Sequence, residues 1–169
     1  MRRWYPRLLA LPRPLRLVVG GAAVALVVLA SMVPGVSGEE GVLDWRVYVQ
    51  NGLHLVLYGV VAVALALAFG LDAARAGRRL LLPLAGALAL AVLDEWLQGA
   101  NPARSSSVWD LGTDLFGAAF ALRLAAWSSR DAPFPWGTAL LFVGLAAAWT
   151  LVPSFAPEWP LRSTPPPSS

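Results

Sequence analysis

Between Leu93 and Gly117 the chain sets Asp94, Glu95, Gln98, Arg104, Asp110 and Asp114 among residues that otherwise favour hydrocarbon. Four of the ten acidic residues fall in that stretch. A carboxylate held at bilayer depth costs about 2.5 to 3.5 kcal/mol on insertion scales, so such residues face a bundle interior, find partners and mark function. Together with His54, the single histidine, these acids suit a hard divalent cation or a proton-transfer site. Arg104 is the residue type for bidentate capture of phosphate or carboxylate. An anionic lipid head group would satisfy both kinds of partner. Spacing strengthens the case, because His54 and Tyr58, Asp94 and Gln98, and Asp110 and Asp114 are each four residues apart and so share one stripe of a helix.

Elements able to hold such a cluster are read from hydropathy. The 169 residues are 57% hydrophobic and 14% charged, with a mean hydropathy of +0.62, which describes a polytopic membrane protein with no separate soluble domain. Five apolar runs of about 17 to 25 residues, each long enough to cross a bilayer core, are expected at Leu15 to Val33, Val47 to Leu71, Leu80 to Leu97, Val108 to Trp127 and Trp136 to Val152. The first follows Arg2, Arg3, Arg7, Arg13 and Arg16, but it is long and lacks a small-x-small cleavage site, so it reads as a retained anchor rather than a signal peptide. Breaks fall at Pro34-Gly35, Asp72 to Arg79, Gly99 to Ser107 and Ser128 to Pro135. Residues 1 to 14 form a basic N-terminal segment, and the Pro/Ser-rich tail from 153 to 169 is expected to be disordered.

No cysteine is present, which removes disulfides, thiolate metal sites and cysteine nucleophiles. All thirteen basic residues are arginine. They follow the membrane rather than a basic groove interleaved with aromatics, so nucleic acid is not an expected partner. With the N-terminus inside, Arg2, Arg3, Arg7, Arg13, Arg16, Arg75, Arg78, Arg79, Arg123 and Arg130 are cytoplasmic, against Arg46, Arg104 and Arg162 outside. Trp45, Trp96 and Trp109 then mark outer span ends, and Trp127 and Trp136 inner ones. In this topology the second span begins outside, the third ends outside and the fourth begins outside. His54, Asp94, Glu95, Gln98, Arg104, Asp110 and Asp114 therefore gather at one outward face. A loop of nine residues, 99 to 107, makes a tight antiparallel hairpin of the third and fourth spans. Gly117, Ala118 and Ala121 permit close helix approach in a membrane.

His54 with Tyr58, Asp-Glu-Trp-Leu-Gln at 94 to 98, Arg104, Ser106 or Ser107, Asp110, Asp114 and Gly117 together resemble the VanZ-like family, named after a bacterial protein associated with teicoplanin resistance. The resemblance covers roughly residues 45 to 125. Two positions depart from the pattern: Gln50 and Asn51 stand where the family often has Asp-Lys, and Asp114 where it often has Asn. The resemblance implies an all-α, polytopic bundle with a four-span VanZ-like core over residues 15 to 127 and a fifth span at 136 to 152. It also implies a place in the bacterial envelope and a link to glycopeptide susceptibility.

On these readings three functions are open. The first is a membrane-embedded enzyme acting outside on an anionic lipid-linked or cell-wall substrate. In it His54, Asp94, Glu95 and Asp114 would be catalytic, or hold a divalent metal, while Tyr58, Gln98, Arg104, Ser106 and Asp110 would bind substrate. The second is a non-catalytic lipid-binding or precursor-binding envelope protein. The third is a small proton-coupled transporter, against which the lack of inverted repeats and broken helices counts. Blander roles compete for the same residues. A structural ion-pair network would use the acids and Arg104, Asp110 would serve as a helix cap, and Glu95 would snorkel to the interface. His54 would be a core histidine bonded to Tyr58 or a carbonyl, and Ser105 to Ser107 would be turn residues.

Overall fold

A computed structural model describes residues 3–32, 45–98, 108–130 and 133–151, and all regular structure among them is helical. The helices are α1 (Trp4–Leu9), α2 (Arg13–Ser31), α3 (Trp45–Ala68), α4 (Leu81–Gln98), α5 (Val108–Ser128) and α6 (Trp136–Leu151). A single 3-10 turn, Gly77–Leu80, leads into α4. The five long helices coincide with the five apolar runs to within a few residues. By contrast, α1 is an addition inside the basic N-terminal segment, six residues that periodicity does not reveal.

Helix starts and stops follow local chemistry. Pro14 sits in the first turn of α2, where its missing N–H costs nothing. After α3, Gly70 adopts φ +66°, its N–H donates to the Leu67 carbonyl at 2.9 Å, and the Leu71 N–H donates to Ala66 at 3.0 Å. That is a Schellman stop, which glycine permits at no steric cost. Asp72 then shapes the turn towards α4 by accepting the Ala74 N–H at 3.0 Å.

In the bundle, α3 is central and touches α2, α4, α5 and α6, with its most extensive contact along α5; α6 lies outermost, against α5. Helices consecutive in the chain alternate in direction, so α3 and α5, which are not consecutive, lie parallel, His54 beside Asp114 and Gly59 beside Gly117. One end collects α1, the C-terminal ends of α3 and α5, and the turn before α4: the Arg3 N–H donates to Ser128 O (3.0 Å), the Tyr5 hydroxyl to Leu71 O (2.6 Å) and Arg130 to Ala74 O (3.3 Å).

The interior is made of small side chains. Ala62, Ala64, Ala66, Ala87, Ala91, Ala118 and Ala125 are buried, while Leu26, Leu29, Val56, Leu82, Val92, Leu140 and Leu141 point outwards. Close approach is sharpest between α3 and α5, where a Cβ on Gly59 would lie 3.1 Å from the Gly117 carbonyl oxygen, and a Cβ on Gly117 would run into the Leu55 carbonyl oxygen. Two helices, α2 over Arg13–Ala30 and α4 with its leading turn over Gly77–Gln98, are long and apolar enough to cross a membrane. Gly52–Ala68 in α3 and Trp136–Trp149 in α6 are shorter apolar stretches. Asp110, Asp114 and Arg123 lower the apolar character of α5.

Candidate functional site

The end of the bundle opposite α1 carries the polar residues, contributed by the first half of α3, the last turns of α4 and the first turns of α5. Helix periodicity brings each pair inwards. His54 and Tyr58 lie one turn apart with rings nearly parallel, 23° between planes and 6.2 Å between centroids. Asp94 and Gln98 share the inward stripe of α4, and Asp114 that of α5.

Two side-chain pairs knit the three helices. His54 Nδ1 lies 3.3 Å from Asp114 Oδ1, joining α3 to α5, and the Tyr58 hydroxyl donates to Asp94 Oδ2 at 3.3 Å, joining α3 to α4. Asp114 is 2% exposed and Asp94 4%. Asp94 and Asp110 both lie within the electrostatic field of His54, with Asp110 half-buried in the first turn of α5. Glu95, at 1% exposure, is buried beside Asp94, so it does not snorkel to an interface. Among the described residues His54 bonds neither to Tyr58 nor to a carbonyl; its partner there is a carboxylate on another helix. Arg104 and Ser106 lie outside the described residues, as does the 99–107 connection.

The arrangement has defined chemical capacity. An imidazole whose Nδ1–H is held by a carboxylate has its tautomer fixed, which leaves Nε2 as the nitrogen that exchanges a proton. Only part of each carboxylate is used. Asp114 Oδ2, Asp94 Oδ1 and the Gln98 amide nitrogen are buried without a hydrogen-bond partner, whereas most buried polar atoms have one. Among the described residues no group of three or more His, Asp or Glu side chains could hold a metal ion.

Spacing did not single out Thr113, buried one residue before Asp114, whose hydroxyl donates to Trp109 O at 3.3 Å. The i−4 relation to a helical carbonyl was the available signal. Trp149 was missed as well. Its ring packs over Gly112, and its Nε1–H donates to Trp109 O at 2.8 Å, pinning α6 beside the first turns of α5. An apolar cavity of about 200 Å³, lined by residues including Leu55, Phe116, Phe120 and Phe142, opens between α3, α5 and α6. Phe116 is two residues from Asp114, so the cavity faces roughly the opposite side of α5 from the polar cluster. Comparison of the chain with family models, with curated proteins and with solved structures found no match.

Proposed function

We propose that this chain is a VanZ-like integral membrane protein of the bacterial envelope. Four spans, α2 to α5, form its core and α6 is a fifth, with the N-terminus in the cytoplasm. Its polar cluster faces outwards and binds or acts on an anionic lipid-linked or cell-wall substrate, lowering susceptibility to glycopeptides such as teicoplanin. The observation that carries this reading is the pair of bonds His54–Asp114 and Tyr58–Asp94, which draw ionisable groups from three helices into one buried cluster. Outward-facing leucine and valine around an alanine and glycine interior support the membrane setting, since lipid solvates large apolar side chains and small ones let helix backbones meet. In the enzymatic form His54 is the acid or base and Asp114 orients it, with Arg104 gripping the anionic group.

A second reading, binding without turnover, is favoured by the unpartnered oxygens of Asp94 and Asp114, which a ligand's donors would satisfy. The test common to both is the teicoplanin susceptibility of a bacterial host expressing each variant, with membrane abundance measured alongside. Asp94→Asn, Arg104→Ala and Asp114→Asn are each expected to remove the protection given by the parent chain. Asp110→Asn should do less, because Asp110, half-buried inside the first turn of α5 rather than at its cap, takes part in neither the His54–Asp114 nor the Tyr58–Asp94 bond. Full protection by Asp94→Asn and Arg104→Ala would overturn the assignment.

A further inference from the structure

Two of the buried carboxylates, Asp94 and Asp114, are each half used, and in a complementary way. Asp114 gives Oδ1 to His54, and Asp94 gives Oδ2 to Tyr58. The other oxygen of each, Asp114 Oδ2 and Asp94 Oδ1, is buried and has no partner, and the residues holding the two carboxylates, His54 and Tyr58, are one helical turn apart on α3. One turn from Asp94, the Gln98 side-chain nitrogen is a buried donor without an acceptor. Leaving such atoms unmatched in a water-poor interior is costly, and a carboxylate is the costliest of them. A proton on an unpartnered oxygen would neutralise it but would leave a hydroxyl with nothing to bond. A metal ion needs several oxygens at short range, and the described residues offer no such group.

We propose that Asp94 and Asp114 cradle a primary ammonium group of the ligand, with the Gln98 amide donating to an oxygen next to that amine. An ammonium brings three N–H donors and a positive charge to two acceptor oxygens, so the hydrogen bonds are charge-assisted. A quaternary amine has the charge but no donor, and a hydroxyl head group has a donor but no charge; neither fits both needs. The ligand class is therefore an amine close to an acceptor oxygen, as in an ethanolamine phospholipid or an aminoacyl ester. This subsite rests on the reading of the polar cluster as a ligand site. It adds that the ligand is cationic where Asp94 and Asp114 meet it.

The experiment is lipid capture by the purified full chain. The protein is reconstituted in vesicles of equal parts phosphatidylethanolamine, phosphatidylcholine and phosphatidylglycerol, re-extracted, and its retained lipid counted by mass spectrometry. In a parallel arm, thermal stability is followed with alanine ethyl ester as a soluble amine. The lipid source predicts phosphatidylethanolamine enriched about tenfold over phosphatidylcholine, the ratio expected from one charge-assisted hydrogen bond. That enrichment should be lost in Asp94→Asn and Asp114→Asn and kept in Asp72→Asn, at the other end of the bundle. The aminoacyl source predicts stabilisation by the ester and none by the same ester carrying a trimethylated amine, a comparison made on the parent chain that needs no variant to fold. Equal retention of the three lipids together with no effect of the ester overturns the proposal. That result would leave the susceptibility test of the cluster standing, because that test does not depend on which ligand is bound.

Discussion

A histidine facing an aspartate across a helix interface depends on each side chain having the other. Removing one partner of a buried charged pair costs about 3 to 5 kcal/mol, so His54 and Asp114 are bound to one another's fate, as Tyr58 and Asp94 are by a weaker bond. The sequence exposed the residue types and their four-residue spacing. It did not expose who pairs with whom, because that depends on the rotation and separation of α3 and α5, set by the Gly59 and Gly117 contacts. Tyr5 was invisible for a similar reason: its hydroxyl matters because the Gly70 turn, 65 residues away, presents the Leu71 carbonyl 2.6 Å from it. Burial, helped by the nearby charge of Asp72 and opposed by Arg16, pushes the Tyr5 hydroxyl up to about 12. Its folded value lies above the unfolded value near 10, so its contribution is complete below pH 10 and is lost as pH rises through 12. Thermal melting in detergent should therefore fall more between pH 9 and pH 12 for the parent chain than for Tyr5→Phe. At neutral pH, Tyr5→Phe should cost about 1 kcal/mol for the lost hydrogen bond. Parallel pH curves would show that the Tyr5 contact adds nothing.

Five of the six helices among the described residues were legible as hydrophobic runs, because a long apolar segment needs no tertiary information to be recognised. The short helix α1 was not, since six residues carry too little periodicity and its burial comes from contacts with α5 and the turn after α3. Small residues on α5 were read correctly as points of close approach, and the structure adds that Gly117 meets the α3 backbone at Leu55. Gly117→Ala would place a Cβ against that carbonyl and within 2.9 Å of the Leu55 Cα. Backbone cannot yield as a side-chain tip does, so the expected loss is about 1 to 3 kcal/mol or more, with α3 and α5 forced apart at the level of His54 and Asp114. Gly21→Ala is the matched control. Nothing lies within 4 Å of the new methyl on α2, and alanine there should be neutral or stabilise by up to about 1 kcal/mol. Melting temperatures of the two purified variants decide the matter; equal values would refute the tight α3–α5 crossing.

Among the described residues, most of the charge is sorted by end. Arg3, Arg7, Arg13, Arg16, Arg75, Arg78, Arg79 and Arg130 flank the helix ends gathered around α1, with Asp72 among them, whereas His54, Asp94, Glu95, Asp110 and Asp114 occupy the opposite end. That sorting was legible in the sequence because most arginines fall at alternate breaks between the apolar runs. Arg104 and Ser106 belong to the nine-residue 99–107 connection, which lies outside the described residues and has no repeat to read. Under the proposed function the polar end of this bundle lies on the outer side of a membrane. The chain lacks cysteine, so single cysteines can be introduced at Ser37, Ala76 and Ser106 without background and challenged in intact cells with an impermeant thiol reagent. Labelling at Ser37 and Ser106 with protection at Ala76 is the predicted result; labelling at Ala76 with protection at the other two would put the cluster on the cytoplasmic side and contradict it.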